Sequence, residues 1–106
     1  MAPSTPIIWS RRALRDADKP HSWISKNSAN AATRYLDRIF SATRGLAAHP
    51  FRGHPLHEAK LPSDEHPYRE IHYRNHRIIY SAAMHRVFIL TIIHQRSMFH
   101  LGMLNT

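Results

Sequence analysis

Cysteine is absent from the 106 residues. That absence excludes disulfides, thiolate nucleophiles and cysteine-ligated zinc together. It also accords with a reducing, cytoplasmic setting. Acidic residues are scarce, seven against fifteen Lys and Arg, and the formal charge is +8. Lysine is scarce as well, confined to Lys19, Lys26 and Lys60. The positive charge is therefore carried by arginine, whose planar fork suits phosphate and carboxylate groups better than an ammonium does. Such a surface attracts nucleic acid or an acidic protein segment. No long hydrophobic run is present: Val87 to Ile93 is the longest apolar-rich stretch, too short to span a bilayer, and no membrane role is expected. Met1 to Pro6 lacks the basic start and apolar stretch of a secretion signal. Ten histidines raise the question of a metal. His54 and His57 lie close in sequence, but no HExxH pattern accompanies them. Neither a metal nor another cofactor is expected.

What is present fits one domain, residues 1–106, with a flexible start over 1–5 and a tail over 98–106. The apolar content of 42% is ordinary for a globular protein. Ile7-Ile8-Trp9, opened by Pro6, reads as a first strand. Ser10 can cap the helix that follows, which carries Ala13, Leu14 and Ala17 at helical spacing. Pro20 predicts a kink, or a restart in which Trp23 and Ile24 anchor a segment ending near Lys26. The clearest helix runs from about Ala29 to Ala48, after a cap at Asn27 or Ser28. Ala32, Tyr35, Leu36, Ile39, Phe40, Thr43, Leu46 and Ala47 form its apolar stripe. Arg34, Arg38 and Arg44 fall off that stripe, on a face read first as solvated and second as a nucleic-acid contact. His49-Pro50 stops the helix.

Pro50 to Pro67 reads as an ordered polar loop. Tyr68–Tyr73, Arg77–Ala82 and Val87–Ile93 read as a three-strand meander joined by short hairpin connections. Val87–Ile93, almost wholly apolar and β-branched, is expected at the centre of the sheet. The expected fold is α+β: a helical hairpin packed on a small, mostly antiparallel sheet in two layers, in the order β-αα-βββ.

That order resembles the ParE/RelE toxin superfamily. Ile8-Trp9-Ser10 followed by Ala13-Leu14 looks like its first strand and helix entry. Ala31-Ala32, then Leu46, His49-Pro50 and Gly53, look like its second helix and exit loop. Tyr68-Arg69-Glu70-Ile71, His76-Arg77-Ile78-Ile79-Tyr80 and Val87-Phe88-Ile89-Leu90, ending in His94-Gln95-Arg96, look like its three-strand half. The resemblance covers about residues 6 to 97, and the pattern is nearer to ParE. Two features depart from it. Pro20 interrupts the first helix, and Arg96-Ser97 replaces a terminal arginine pair.

The resemblance implies a toxin held inactive by a cognate antitoxin, with DNA gyrase as the target. The alternative it implies is a metal-independent mRNA endonuclease acting at the ribosome. A non-toxic relative that only binds a partner is a third possibility. Ribonuclease chemistry needs a base, an acid and cations around a phosphate. His94, Arg69, Arg77 and Arg96 are the candidates for it. Arg69, Arg77 and Arg96 are also the candidate phosphate or target contacts, provided the strand register brings them to one face. Arg77 pairing with Glu70 across the hairpin is the competing reading, as are a capping role for His94 and packing roles for Tyr73 and Tyr80. Met98, Phe99 and Leu101 of the apolar tail are candidate antitoxin contacts, suited to an acidic, disorder-prone partner that folds as it binds.

Overall fold

The computed structural model describes residues 5–26, 28–56, 68–83 and 85–105, with the side chains of 20–25, 101 and 105 left aside. Strand β1 is Ile7–Trp9, and helices α1 and α2 are Arg11–Ser25 and Ala29–Arg44. A 3-10 turn, Gly45–Ala47, finishes α2. Strands β2 to β5 are His54–Pro55, Tyr68–Tyr73, His76–Ala82 and Val87–His94, and a short 3-10 segment spans Leu101–Asn105. The sheet order is β1-β5-β4-β3-β2. Only the β1–β5 pairing is parallel. The expected α+β architecture is present, with β2 as an added strand drawn from the proline-rich connector.

Both helix starts use the expected chemistry. The Ser10 hydroxyl accepts from the Ala13 amide at 3.0 Å and donates to the Leu90 carbonyl at 2.9 Å. Ser28 accepts from the Ala31 amide at 3.1 Å. These side chains satisfy amides that the helix itself leaves unpaired. Of the two expectations for helix α1, the restart does not occur. The helix runs as one element through Pro20. An interior proline costs about 3 kcal/mol through its lost hydrogen bond and ring clash together, and burial of Ala13 and Ala17, earlier in the same helix, in the main core offsets it. Trp23 and Ile24 lie outside the described side chains.

The apolar stripe of α2 packs on one sheet face. Tyr35, Ile39 and Leu46 join Ile78, Tyr80, Val87, Ile89 and Ile92 in the main core. Trp9 meets Phe40 with ring centroids 4.8 Å apart, locking β1 to α2. The opposite face is covered by the tail. Phe99 packs there with Leu56, Ile79 and Ile93, and Tyr68, Met103 and Leu104 flank them.

Strand β4, not β5, is the central strand, and its Ile78, Ile79 and Tyr80 are fully buried. β5 is second from the edge because the short β1 pairs along its outer side, from Val87 to Ile89. Beyond that point α1 caps the exposed edge of β5. The Asp16 carboxylate accepts from the Ile92 amide at 3.1 Å and from the Thr91 hydroxyl at 2.5 Å. Arg12 binds the Thr91 hydroxyl at 3.1 Å and also the Met103 carbonyl, tying helix, strand and tail together. An open strand edge is a template for unwanted pairing, and side-chain capping removes it.

Candidate functional site

Strand register separates the arginines that the sequence places near one another. Arg69 pairs with Tyr80 across β3–β4, whereas Arg77 pairs with His72. Side chains alternate between faces along a strand. Arg69 therefore shares a face with Tyr80, and Arg77 points to the other side. The condition for Arg69, Arg77 and Arg96 to share one face is not met.

Arg69 is engaged with the connector. It donates to the carbonyls of Phe51 at 3.2 Å and Gly53 at 2.9 Å, and its guanidinium lies 5.3 Å from the centre of the Phe51 ring. The Gly53 amide donates to the Tyr80 hydroxyl at 2.9 Å. Tyr80 is fully buried. Burial pushes its phenol up, against the opposing effects of the Gly53 amide, Arg69 and Arg52. Tyr80 is thus a packing and docking residue, not a free acid.

Arg77 is 7% exposed. It grips Glu70 through two contacts, 2.8 and 2.5 Å, and donates to the Ser97 carbonyl at 2.8 Å. His72 holds the other Glu70 oxygen at 2.7 Å. The Arg77–Glu70 pair forms as the competing reading had it, but inside the fold rather than on its surface. Its burial follows from the tail, whose first residues close over it.

His94 and Arg96 sit at the far end of the sheet. The His94 ring accepts from the Arg96 amide through Nδ1 at 3.1 Å. That bond caps the turn after β5 and leaves Nε2 to carry the proton of the neutral ring. The Gln95 amide donates to the Asn75 carbonyl at 2.7 Å, which fastens this turn to the β3–β4 hairpin. Among the tail residues, Met98 is 70% exposed while Phe99 is buried in the fold's own second core. Phe99 is therefore not a surface contact in this state, and the Leu101 side chain lies outside the described residues.

The end of the sheet assembles groups that the sequence does not single out together. His94 stands opposite His76, with ring centroids 6.1 Å apart. Tyr35 of α2 lies 6.0 Å from both the His76 and Tyr73 rings. The Tyr35 hydroxyl and His76 Nδ1 are buried and lack a hydrogen-bond partner among the described residues. Burial, and then the neighbouring Tyr73, push the Tyr35 phenol up to about 12. Burial, and then the nearby His94, push His76 below the ordinary histidine value. Beside this cluster is a depression of about 450 Å³ lined by Ala31, Arg34, Tyr35, Arg38, Tyr73 and Arg74. Tyr35 is hidden in the sequence because its spacing fits an apolar stripe. Its phenol, which a core stripe does not need, is the one available signal.

The His76 environment predicts a pH effect. An unfolded chain binds a proton at this imidazole near the ordinary value of about 6.5, before the folded chain does. Folding therefore carries no penalty from His76 above that pH, and loses stability as pH falls below it toward the folded value. His76→Phe should flatten the decline in Tm on acidification from pH 7 to pH 5, relative to the parent. Thermal melts across that range test this, and an unchanged slope would sink it.

Among the described residues no cluster of three or more His, Asp or Glu side chains is arranged to hold a metal ion. His57 lies outside them. No described helix is long and apolar enough to cross a membrane.

A helical hairpin on one face of a mixed five-strand sheet is the fold of ParE- and RelE-type toxin chains. The structure superposes on the chromosomal ParDE system of Pseudomonas aeruginosa with a TM-score of 0.66 at 16% identity, covering 86% of this chain and 96% of that one. It superposes on the toxin–antitoxin complex RelBE2 of Mycobacterium tuberculosis with a TM-score of 0.52 at 20% identity, covering 88% and 99%. A protein of Sinorhizobium fredii named as a candidate toxin, Y4kP, is 41% identical over 49 residues. That match takes in 46% of this chain and about half, 51%, of the relative's length. The family model for the ParE toxin of the type II toxin–antitoxin system parDE matches residues 7–99. The chain belongs to the ParE toxin family.

Proposed function

We propose that this protein inhibits bacterial growth by poisoning DNA gyrase and that a cognate antitoxin, acting in the cytoplasm, neutralises it. The match to the ParE family over residues 7–99 carries this reading. The dispersal of the ribonuclease candidates supports it. Arg69 is bound to the Gly53 loop on the other face of the sheet, and Arg77, one position from the His94 end, is held by Glu70 and the Ser97 carbonyl. A phosphate held by all of them would need Glu70 to release Arg77. The antitoxin would be an acidic segment suited to the +8 chain. Exposed Ile8, Leu14 and Met98 are its apolar contact candidates.

Induction of the protein alone should lower DNA synthesis before protein synthesis, as read by pulse-labelling, and co-expressed antitoxin should restore both. The purified protein should also trap gyrase on cleaved DNA. An early loss of protein synthesis, abolished by His94→Ala, would instead support the mRNA endonuclease. That alternative draws on the exposed His94 ring, whose Nε2 has no hydrogen-bond partner among the described residues.

A further inference from the structure

We infer that the depression between α2 and the β3–β4 hairpin binds a nucleotide, its phosphate held by Arg34, Arg38 and Arg74 and its base set against the tyrosines. This inference does not rest on which cellular target the toxin poisons. The depression, about 450 Å³, falls within the range of roughly 300–1,000 Å³ of small-molecule clefts. Three of its six lining residues are arginines, and two of the others are Tyr35 and Tyr73. None of the three arginines makes an ion pair among the described residues. Three arginines elsewhere in this fold are used structurally: Arg12 meets Asp16, Arg77 meets Glu70, and Arg69 meets carbonyl groups. Among the described residues, the three guanidinium groups of the depression therefore have no counter-ion. Planar forks of this kind bind phosphate oxygens in pairs.

Two further observations point to a ligand rather than to a solvated helix face. Tyr35 is 8% exposed, lines the depression, and keeps a buried hydroxyl with no partner among the described residues. A buried hydroxyl without a partner costs free energy that packing alone does not need to spend. Arg74 is the one non-glycine described residue with positive φ, 52°. Glycine or asparagine would take that hairpin position more cheaply. Here an arginine takes it, and its guanidinium lies 5.7 Å from the centre of the Tyr73 ring. Cation, aromatic face and phosphate-binding fork then stand side by side, which is how unpaired nucleotides are held.

The nucleotide is either free in solution or one residue of a single strand, and the test separates these. The probes are adenosine 5′-monophosphate, inorganic phosphate, a thymidine hexanucleotide and a hexaglutamate peptide, each titrated into the full chain by NMR. Arg74→Asn retains a residue suited to positive φ, and Arg34→Gln lies on an exposed helix face, so both should fold, as melts will verify. Expected is saturable binding of the mononucleotide, tighter than phosphate, with shifts at Tyr35, Tyr73 and Arg74. Affinity should fall at least tenfold in either variant and remain unchanged in Arg86→Gln at the distant β4–β5 turn. Binding of the hexanucleotide but not the mononucleotide, with the same variant pattern, supports the site and assigns it to a strand. Equal losses in Arg86→Gln and Arg74→Asn would reduce the effect to net charge and overturn the inference. Binding of hexaglutamate in place of both nucleotide probes, or of no probe, would also overturn it.

Discussion

Arg77→Met should lower the stability of the fold by about 3 kcal/mol, the lower end of the cost of breaking a buried charge pair. The side chains of Arg77 and Glu70 are 8% and 15% exposed, and 2.5 Å separates their closest atoms. Methionine fills the hydrocarbon part of the space but leaves Glu70 charged inside the fold. His72 remains as a second partner for Glu70, which is why the lower end of the range is expected. The Ser97 carbonyl also loses its donor. That second loss predicts a local effect: the segment after Ser97 should become sensitive to protease under conditions in which the rest of the fold stays resistant. Urea unfolding reads the first effect and limited proteolysis the second. Glu70→Gln in the same background should recover part of the loss, because the unpaired charge is gone, and the cycle should show coupling above about 1 kcal/mol. A loss below about 1 kcal/mol in the single variant would mean that the pair behaves as an exposed one.

Gly53→Ala should be about as damaging, near 3 kcal/mol from overpacking together with a lost hydrogen bond. A methyl group at residue 53 would stand 2.5 Å from the Glu70 carbonyl oxygen and 2.6 Å from the Tyr80 hydroxyl. The first of these is backbone in the sheet and the second belongs to a fully buried side chain, so neither can retreat cheaply. The connector would have to lift away from β3. That would break the bond from the Gly53 amide to Tyr80 and the bond from Arg69 to the Gly53 carbonyl. A fall in Tm of more than ~10 °C is expected for a domain of this size. Tyr80→Phe makes a useful comparison. It removes the acceptor without adding bulk and should cost about 1–3 kcal/mol, the penalty of one buried unpaired amide. A Gly53→Ala protein as stable as the parent would show that the connector has an equally good alternative seat.

These two positions also show where sequence reading stops. Arg77 and Glu70 lie seven residues apart on neighbouring strands, and pairing between them is visible as a possibility. Its burial is not, because the cover comes from the tail around Ser97 and Phe99. Gly53 can be seen in the sequence as part of a loop. Its close approach to the sheet depends on Tyr80, which lies 27 residues further on.

The elements themselves were largely legible. The apolar stripe from Ala32 to Leu46, the caps at Ser10 and Ser28, and the strand limits at Tyr68, Tyr73 and Ala82 follow from local periodicity and turn chemistry. Those signals act within one or two turns of chain, so the chain carries them wherever it goes. The α+β class and the resemblance to ParE and RelE toxins follow from their order. Tertiary structure alone decided the rest. It ran α1 through Pro20, placed β4 rather than β5 at the centre, and used Asp16 to close the edge of β5. It also parted Arg69 from Arg77 and gathered Tyr35, Tyr73, Arg74, His76 and His94 at one end of the sheet. The physical reason is register. A shift of one residue in strand pairing sends every side chain to the opposite face, and pairing is chosen by the whole packed core rather than by any segment that enters it.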